Sequence, residues 1–203
     1  MAKKPASQKL EYGFADIIFD EGTENEVRFD GKLCEDNSYM QADGGELELT
    51  PITEEMKLPE LGDSVFDYVT NGWEGKLKVV ASKATLDLIS KTLSGTISFE
   101  RDGEVVSVTD APVGSSLRDK GRKVRIHPRQ LGSDRSEDIV IHKVVNTSGL
   151  NKSYQNEQGN YEMEFEVLPK DCADANKPNN YYYIGENPDE IEKVKSKGSG
   201  SPS

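Results

Sequence analysis

Carboxylates are the commonest chemical groups in this sequence, with 37 Asp and Glu against 25 Lys and Arg. Several glutamates recur at every second position, as in GELELT (Glu46, Glu48) and YEMEFEV (Glu162, Glu164, Glu166). Residues two apart on a strand share a face at about 7 Å, a separation that glycoside hydrolysis uses. Such a pair works only when it faces a cleft and one pKa is raised. Glutamates along one strand face ordinarily stand in water instead. The histidines, His127 in RIHP and His142 in IVIHKVV, have no Cys, Asp or Glu at ligand spacing. A metal site needs several convergent ligands, so both read as ordinary strand or loop histidines. No GxSxG, HExxH, GxxxxGK[ST] or helix-opening GxGxxG motif occurs. The residues point to no catalytic group, no metal and no cofactor.

The one cationic concentration, LRDKGRKVRIHPR at 117–129, holds Arg118, Lys120, Arg122, Lys123, Arg125 and Arg129. A nucleic-acid reader interleaves aromatics with such a run for stacking, and none are interleaved here. A solvated basic strand is the ordinary reading. The functional one is a patch facing acidic surface on a neighbouring copy. The net charge of −12 and pI near 4.7 oppose adhesion to nucleic acid or acidic membranes. They leave room for a protein that works beside DNA without holding it. Cys34 and Cys172 lie far apart and read as free thiols in a reducing compartment. The start MAKKPASQKLEYG has no apolar stretch behind its lysines, so it does not read as a secretory signal. No apolar run approaches the ~20 residues of a membrane span. The chain is expected to be cytosolic when made.

The elements that would carry these residues are mostly strands. GELELT, WEGKLKVV, TISFER, EVVSVTD, GRKVRIHP, EDIVIHKVV and NYEMEFEVLP all have strand character. The last alternates Tyr161, Met163, Phe165 and Val167 against its three glutamates. One helix is expected over 82–94, capped by Ser82, with Leu86, Ile89 and Leu93 on one face and Gly95 ending it. Between two central strands, residues 51–72 contain prolines and glycines and read as a long loop. Met56, Leu58, Leu61, Val65, Phe66 and Tyr68 suit that loop to docking. The expected fold is mainly β: an antiparallel sandwich or barrel with one flanking helix and a long inter-strand loop. The domain spans 11–185, between an N-terminal arm (1–10) and a flexible tail (186–203). Hydrophobic residues form only 34% of the chain, which fits thin layers and polar loops.

The segment GGELELTPITEEMKLPELGDSVFDYVTNGWEGKLKVVASKATLDLISKTL resembles the tail tube (major tail) proteins of phages of Gram-positive bacteria. So does the later VRIHPR…DIVIHKVVNTSGLNKSYQNEQGNYEMEFEVLP. The likeness runs in order over about residues 10–185. It implies six copies joined edge to edge in a ring, with rings stacked into a tube that conducts the genome. Residues 51–72 would then be the stacking loop, and 1–10 and 170–195 contact arms. The implied partners are further copies and other tail proteins (tape measure, terminator, baseplate or distal tail), in a virion assembled in the host cytoplasm. DNA would pass without specific binding, and no membrane is involved. In such a ring the one-sided glutamates Glu46, Glu48, Glu162, Glu164 and Glu166 would form an acidic wall repelling DNA; otherwise they are a solvent face.

Three competing readings remain. A monomeric β-sandwich module would bind carbohydrate or protein through exposed aromatics such as Tyr181–Tyr183. A carboxylate hydrolase would need two acids facing each other across a cleft. A capsid or tail-terminator subunit would differ in architecture only.

Overall fold

Strict alternation shapes the most regular strand. In the computed structural model, which describes residues 13–32, 35–152 and 159–191, the segment Tyr161–Leu168 (β9) buries its apolar set and exposes its three glutamates. The other strands are β1 (Ala15–Phe19), β2 (Val27–Phe29), β3 (Gln41–Leu58), β4 (Ser64–Ala81), β5 (Thr96–Arg101), β6 (Glu104–Asp110), β7 (Arg122–Pro128), β8 (Ile139–Asn146) and β10 (Tyr182–Ile184). Eight of them form one antiparallel sheet in the order β2-β1-β7-β8-β9-β4-β3, with β10 beside the first half of β8. β5 and β6 pair only with each other. The protein is therefore mainly β and antiparallel, with a helix on its flank.

The main sheet curls until its ends meet. Ser38, just before β3, bridges Arg28 of β2. The Gln41 side chain then donates to the carbonyls of Ala15 and Phe29. Inside the curl, Phe19 packs on Phe165 at 4.9 Å between ring centroids and on Phe29 at 6.0 Å. Two glycines permit the tight curvature. A Cβ on Gly45 would fall 2.4 Å from Ile17 Cδ1, and one on Gly75 would fall 2.7 Å from both Leu49 and Val167. GELELT thus continues a strand that runs through Gly44-Gly45, with register shifts around them.

The helix α1 (Leu86–Thr92) is shorter than the predicted 82–94, and Thr85 caps it, its Oγ1 accepting from the Leu88 amide at 3.1 Å. Ser82 still belongs to the β3–β4 ladder, its amide donating to Met40 O, and the helix begins four residues later. The inward face also shifts: Leu88 is fully buried, while Leu86 is 41% exposed. Burial pushes the Tyr39 hydroxyl up to about 12, and it donates to Asp87 at the start of α1.

Residues 51–72 are not a loop. They are the outer halves of β3 and β4, turning at Pro59–Leu61 with Gly62 and Asp63 left-handed. Prolines and glycines signal breaks, but β3 is an edge strand, where proline is tolerated. Val65, Val69 and Thr70 are good strand formers. The arm at 1–10 lies outside the described residues. The expected tail begins later than residue 186, because Asn187 caps a helical turn over 188–191 and Asp189 pairs with Lys170 at 3.2 Å.

Phe165→Ala should cost about 3–5 kcal/mol, the usual price of an aromatic cavity, read as a lower midpoint in urea unfolding. Thr85→Ala should cost about 1 kcal/mol.

Candidate assembly surfaces

Both histidines are engaged in structural contacts. His127 meets Asp138 through Nδ1 at 2.5 Å and the Gly132 carbonyl through Nε2 at 2.9 Å. Asp138 is buried and also receives Arg125 at 3.5 Å. His142 contacts Asn179 Oδ1 at 2.7 Å, which ties the C-terminal segment to β8. Among the described residues, no group of three or more His, Cys, Asp or Glu could hold a metal. Cys172 is exposed and free; Cys34 lies outside the described residues.

The glutamates do share a face, but not with one another only. The register sets Glu46 opposite Lys78 opposite Glu164, and Glu48 opposite Lys76 opposite Glu166. Lys78 also pairs with Glu162, whose carboxylate, acting first by hydrogen bond and then by charge, raises the lysine pKa. β4 therefore runs a lysine row between two glutamate rows. Five carboxylates face two ammonium groups, so the strip keeps a net charge of −3 with its strongest repulsions interrupted. Sequence alternation identified each strand face; the intervening lysines depended on strand order.

The basic run is mostly consumed within the chain. Arg122 is buried, pairs with Asp20 at 2.7 Å and donates to the carbonyls of Lys91 and Asn25. Arg125 pairs with Glu21 at 2.9 Å, Arg129 with Asp16 at 2.5 Å and Arg118 with Asp171 at 3.0 Å. Lys120 and Lys123 remain, too few for the expected inter-subunit patch. Arg122 and Arg125 of β7 meet Asp20 and Glu21 in the turn after β1, and Arg129, just past β7, meets Asp16 of β1.

The apolar residues of 51–72 are on the surface, as docking requires. From Ser64 to Gly75, β4 has β3 as its only partner among the described residues, so the hairpin leaves the sheet as a two-stranded arm. A Cβ on Gly72 would stand 3.5 Å from Tyr181 Oη, and Trp73 meets Tyr182 edge-on at 5.1 Å. These contacts hold the base. Beyond them the arm extends about 25 Å. Pairs Glu54↔Val69 and Met56↔Asp67 place Met56 and Val69 on one face, and Glu55↔Tyr68 places Tyr68 on the other. Phe66 is 68% exposed, Leu61 67% and Tyr68 59%, with Met56 and Val65 also exposed and Leu58 half-buried.

The tyrosine cluster is not an exposed platform. Tyr183 is buried, its ring near His142, and Tyr181 and Tyr182 pack against the core. TISFER and EVVSVTD form a second ribbon, which strand periodicity alone does not separate from the other strands. β5 and β6 stand apart, and with α1 they bound an open polar cleft of about 890 Å³. The Asp102-Gly103 turn signal was the available clue. Among known proteins, no family model and no curated protein matches this chain.

Burial holds the His142 pKa below the ordinary imidazole value, offset in part by the Asn179 contact. The unfolded chain therefore takes up this proton first as pH falls through about 6.5. Stability should be complete above that pH and decline below it, and His142→Gln should flatten the decline in thermal melts between about pH 7 and 5.5. Replacing Lys76 and Lys78 together by alanine should lower the urea midpoint in dilute salt. The loss should shrink at about 1 M salt, where the Debye length is about 3 Å.

Proposed function

We propose that this chain is a structural, non-enzymatic subunit that assembles with its own copies into stacked rings, the tail tube of a phage, through which DNA passes unbound. The observation that carries this is the β3–β4 arm. An isolated two-stranded ribbon is marginally stable in water, and this one exposes apolar side chains on both faces. Such a surface suits burial between copies. The free outer edge of β3, at the end of the strand order, offers a further line of backbone donors and acceptors. The net-negative strip over β3, β4 and β9 suits a wall that repels phosphate. Other tail proteins would meet the two ends of the tube, and the place of action would be the virion. The competing reading, a monomeric module that uses Tyr181–Tyr183 to bind carbohydrate or protein, loses support because those tyrosines are packed inward.

Electron microscopy of the purified chain should show rings or hollow tubes of uniform width. Replacing residues 54–69 by an Asn-Gly turn should leave a folded subunit, with its thermal midpoint nearly unchanged, that no longer forms tubes. Tubes that persist without the arm would defeat the proposal.

A further inference from the structure

His127 stands between two acceptors. Its Nδ1 lies 2.5 Å from Asp138 Oδ1, and its Nε2 lies 2.9 Å from the Gly132 carbonyl oxygen. A carbonyl oxygen only accepts, and so does an ionised carboxylate. A neutral imidazole carries one N–H, so its other nitrogen would turn a lone pair on an acceptor. Both contacts are satisfied when the pair holds one further proton, whether that proton rests on the ring or on the carboxyl. Asp138 is 2% exposed, so water does not replace a lost partner there. The neighbouring charges balance. Asp16, opposite His127 on β1, is taken by Arg129. Arg125, two residues before His127, lies between Asp138 and Glu21, and Glu21 also receives Arg135. In the connection between β7 and β8, Asp134 accepts the Ser136 amide and Glu137 is exposed. On β10, burial pushes the Tyr183 hydroxyl up and keeps it neutral. Asp16, Glu21 and Asp138 thus offset three arginines, and a charged imidazole meets no surplus of cations among them.

We propose that His127 and Asp138 form a proton-dependent clasp, which fixes the β7–β8 connection and the chain leaving β10, and which opens as pH rises. Gly132 and Asp138 bracket most of that connection, so the ring ties its two sides together. The connection in turn supports the C-terminal segment. The Gly185 amide donates to Asp138 O at 2.8 Å, and a Cβ on Gly185 would stand 2.9 Å from Ser136 O. The folded chain holds the extra proton and the unfolded chain has no such pair of acceptors. The clasp's contribution is therefore complete below about pH 6.5, the imidazole value of an unfolded chain, and is lost as pH rises above it. His142 acts with the opposite sign, because burial favours its neutral form, and its contact with Asn179 ties down the same segment. One histidine secures the C-terminal segment with its proton, and the other secures it without one.

The sequence has two histidines, so the full-length His142→Gln chain leaves one imidazole to follow. Proton NMR of that ring should show it titrating at higher pH in the folded chain than in the same chain unfolded in urea. In hydrogen exchange, the protection of the Gly185 amide, corrected for the intrinsic effect of pH, should fall roughly tenfold between about pH 6.5 and 8.5. Adding Asp138→Asn should remove that fall. The carboxamide can donate to Nδ1 of a neutral ring while Nε2–H donates to Gly132 O, so the clasp closes without the extra proton. A ring that titrates at or below its unfolded value overturns the inference. So does Gly185 protection that stays level in the His142→Gln chain, or an Asp138→Asn chain that keeps the full dependence. The ring titration leaves His127 and Asp138 untouched, and it decides the matter even where Asp138→Asn fails to fold.

Discussion

Phe19 sits where four strands converge. Its ring touches Phe29 on β2 and Phe165 on β9, and the Arg122 guanidinium of β7 lies over it at 5.4 Å. Those contacts require the sheet to curl until β1 faces β9 across a single core. The curl requires backbone approach at Gly45 and Gly75, where a side chain would collide with Ile17, Leu49 or Val167. Once the curl is set, the rest of the molecule has few choices. α1 closes one end of the core with Leu88 and Ile89. At the other end β3 and β4 outrun every partner except each other.

Arg122 shows how that core and its rim are coupled. A guanidinium with 8% of its residue surface exposed must have its donors satisfied and its charge paired. Asp20 supplies the carboxylate from a left-handed backbone position and accepts the Lys123 amide as well. Lys91 O, in the last turn of α1, takes another donor. One arginine thus joins β7, the turn after β1 and the helix end. Arg125, Arg129 and Arg118, less buried, also meet acids distant in sequence. A strongly acidic protein has abundant carboxylates for this purpose, and its basic run becomes internal wiring.

The two ribbons are the counterpart of that well-satisfied body. Each has two strands and carries exposed aromatic side chains, Phe66 and Tyr68 on the arm and Phe99 on the other. The body holds each ribbon at its base, by Tyr181 and Tyr182 beneath the arm and by α1 beneath β5–β6.

The sequence by itself determined the strand-rich character and the face assignment of β9, because a period of two is a local property that solvent enforces residue by residue. It also marked 51–72 as unusual by composition, and there Met56, Phe66 and Tyr68 are exposed. It misjudged the form of that segment, since Pro51 and Gly72 lie inside strands and only Pro59 and Gly62 mark the turn. The cap at Thr85 was hidden because the β3–β4 ladder extends to Ser82, a fact of pairing and not of propensity. Only the tertiary structure decided which charges meet. Lys76 and Lys78 separate glutamates that lie some 30 and some 90 residues away in the chain, and Arg122 finds Asp20 across a hundred. Local patterning encodes which side of a strand is wet. Strand order and register encode what stands beside it, and those follow from burying one core.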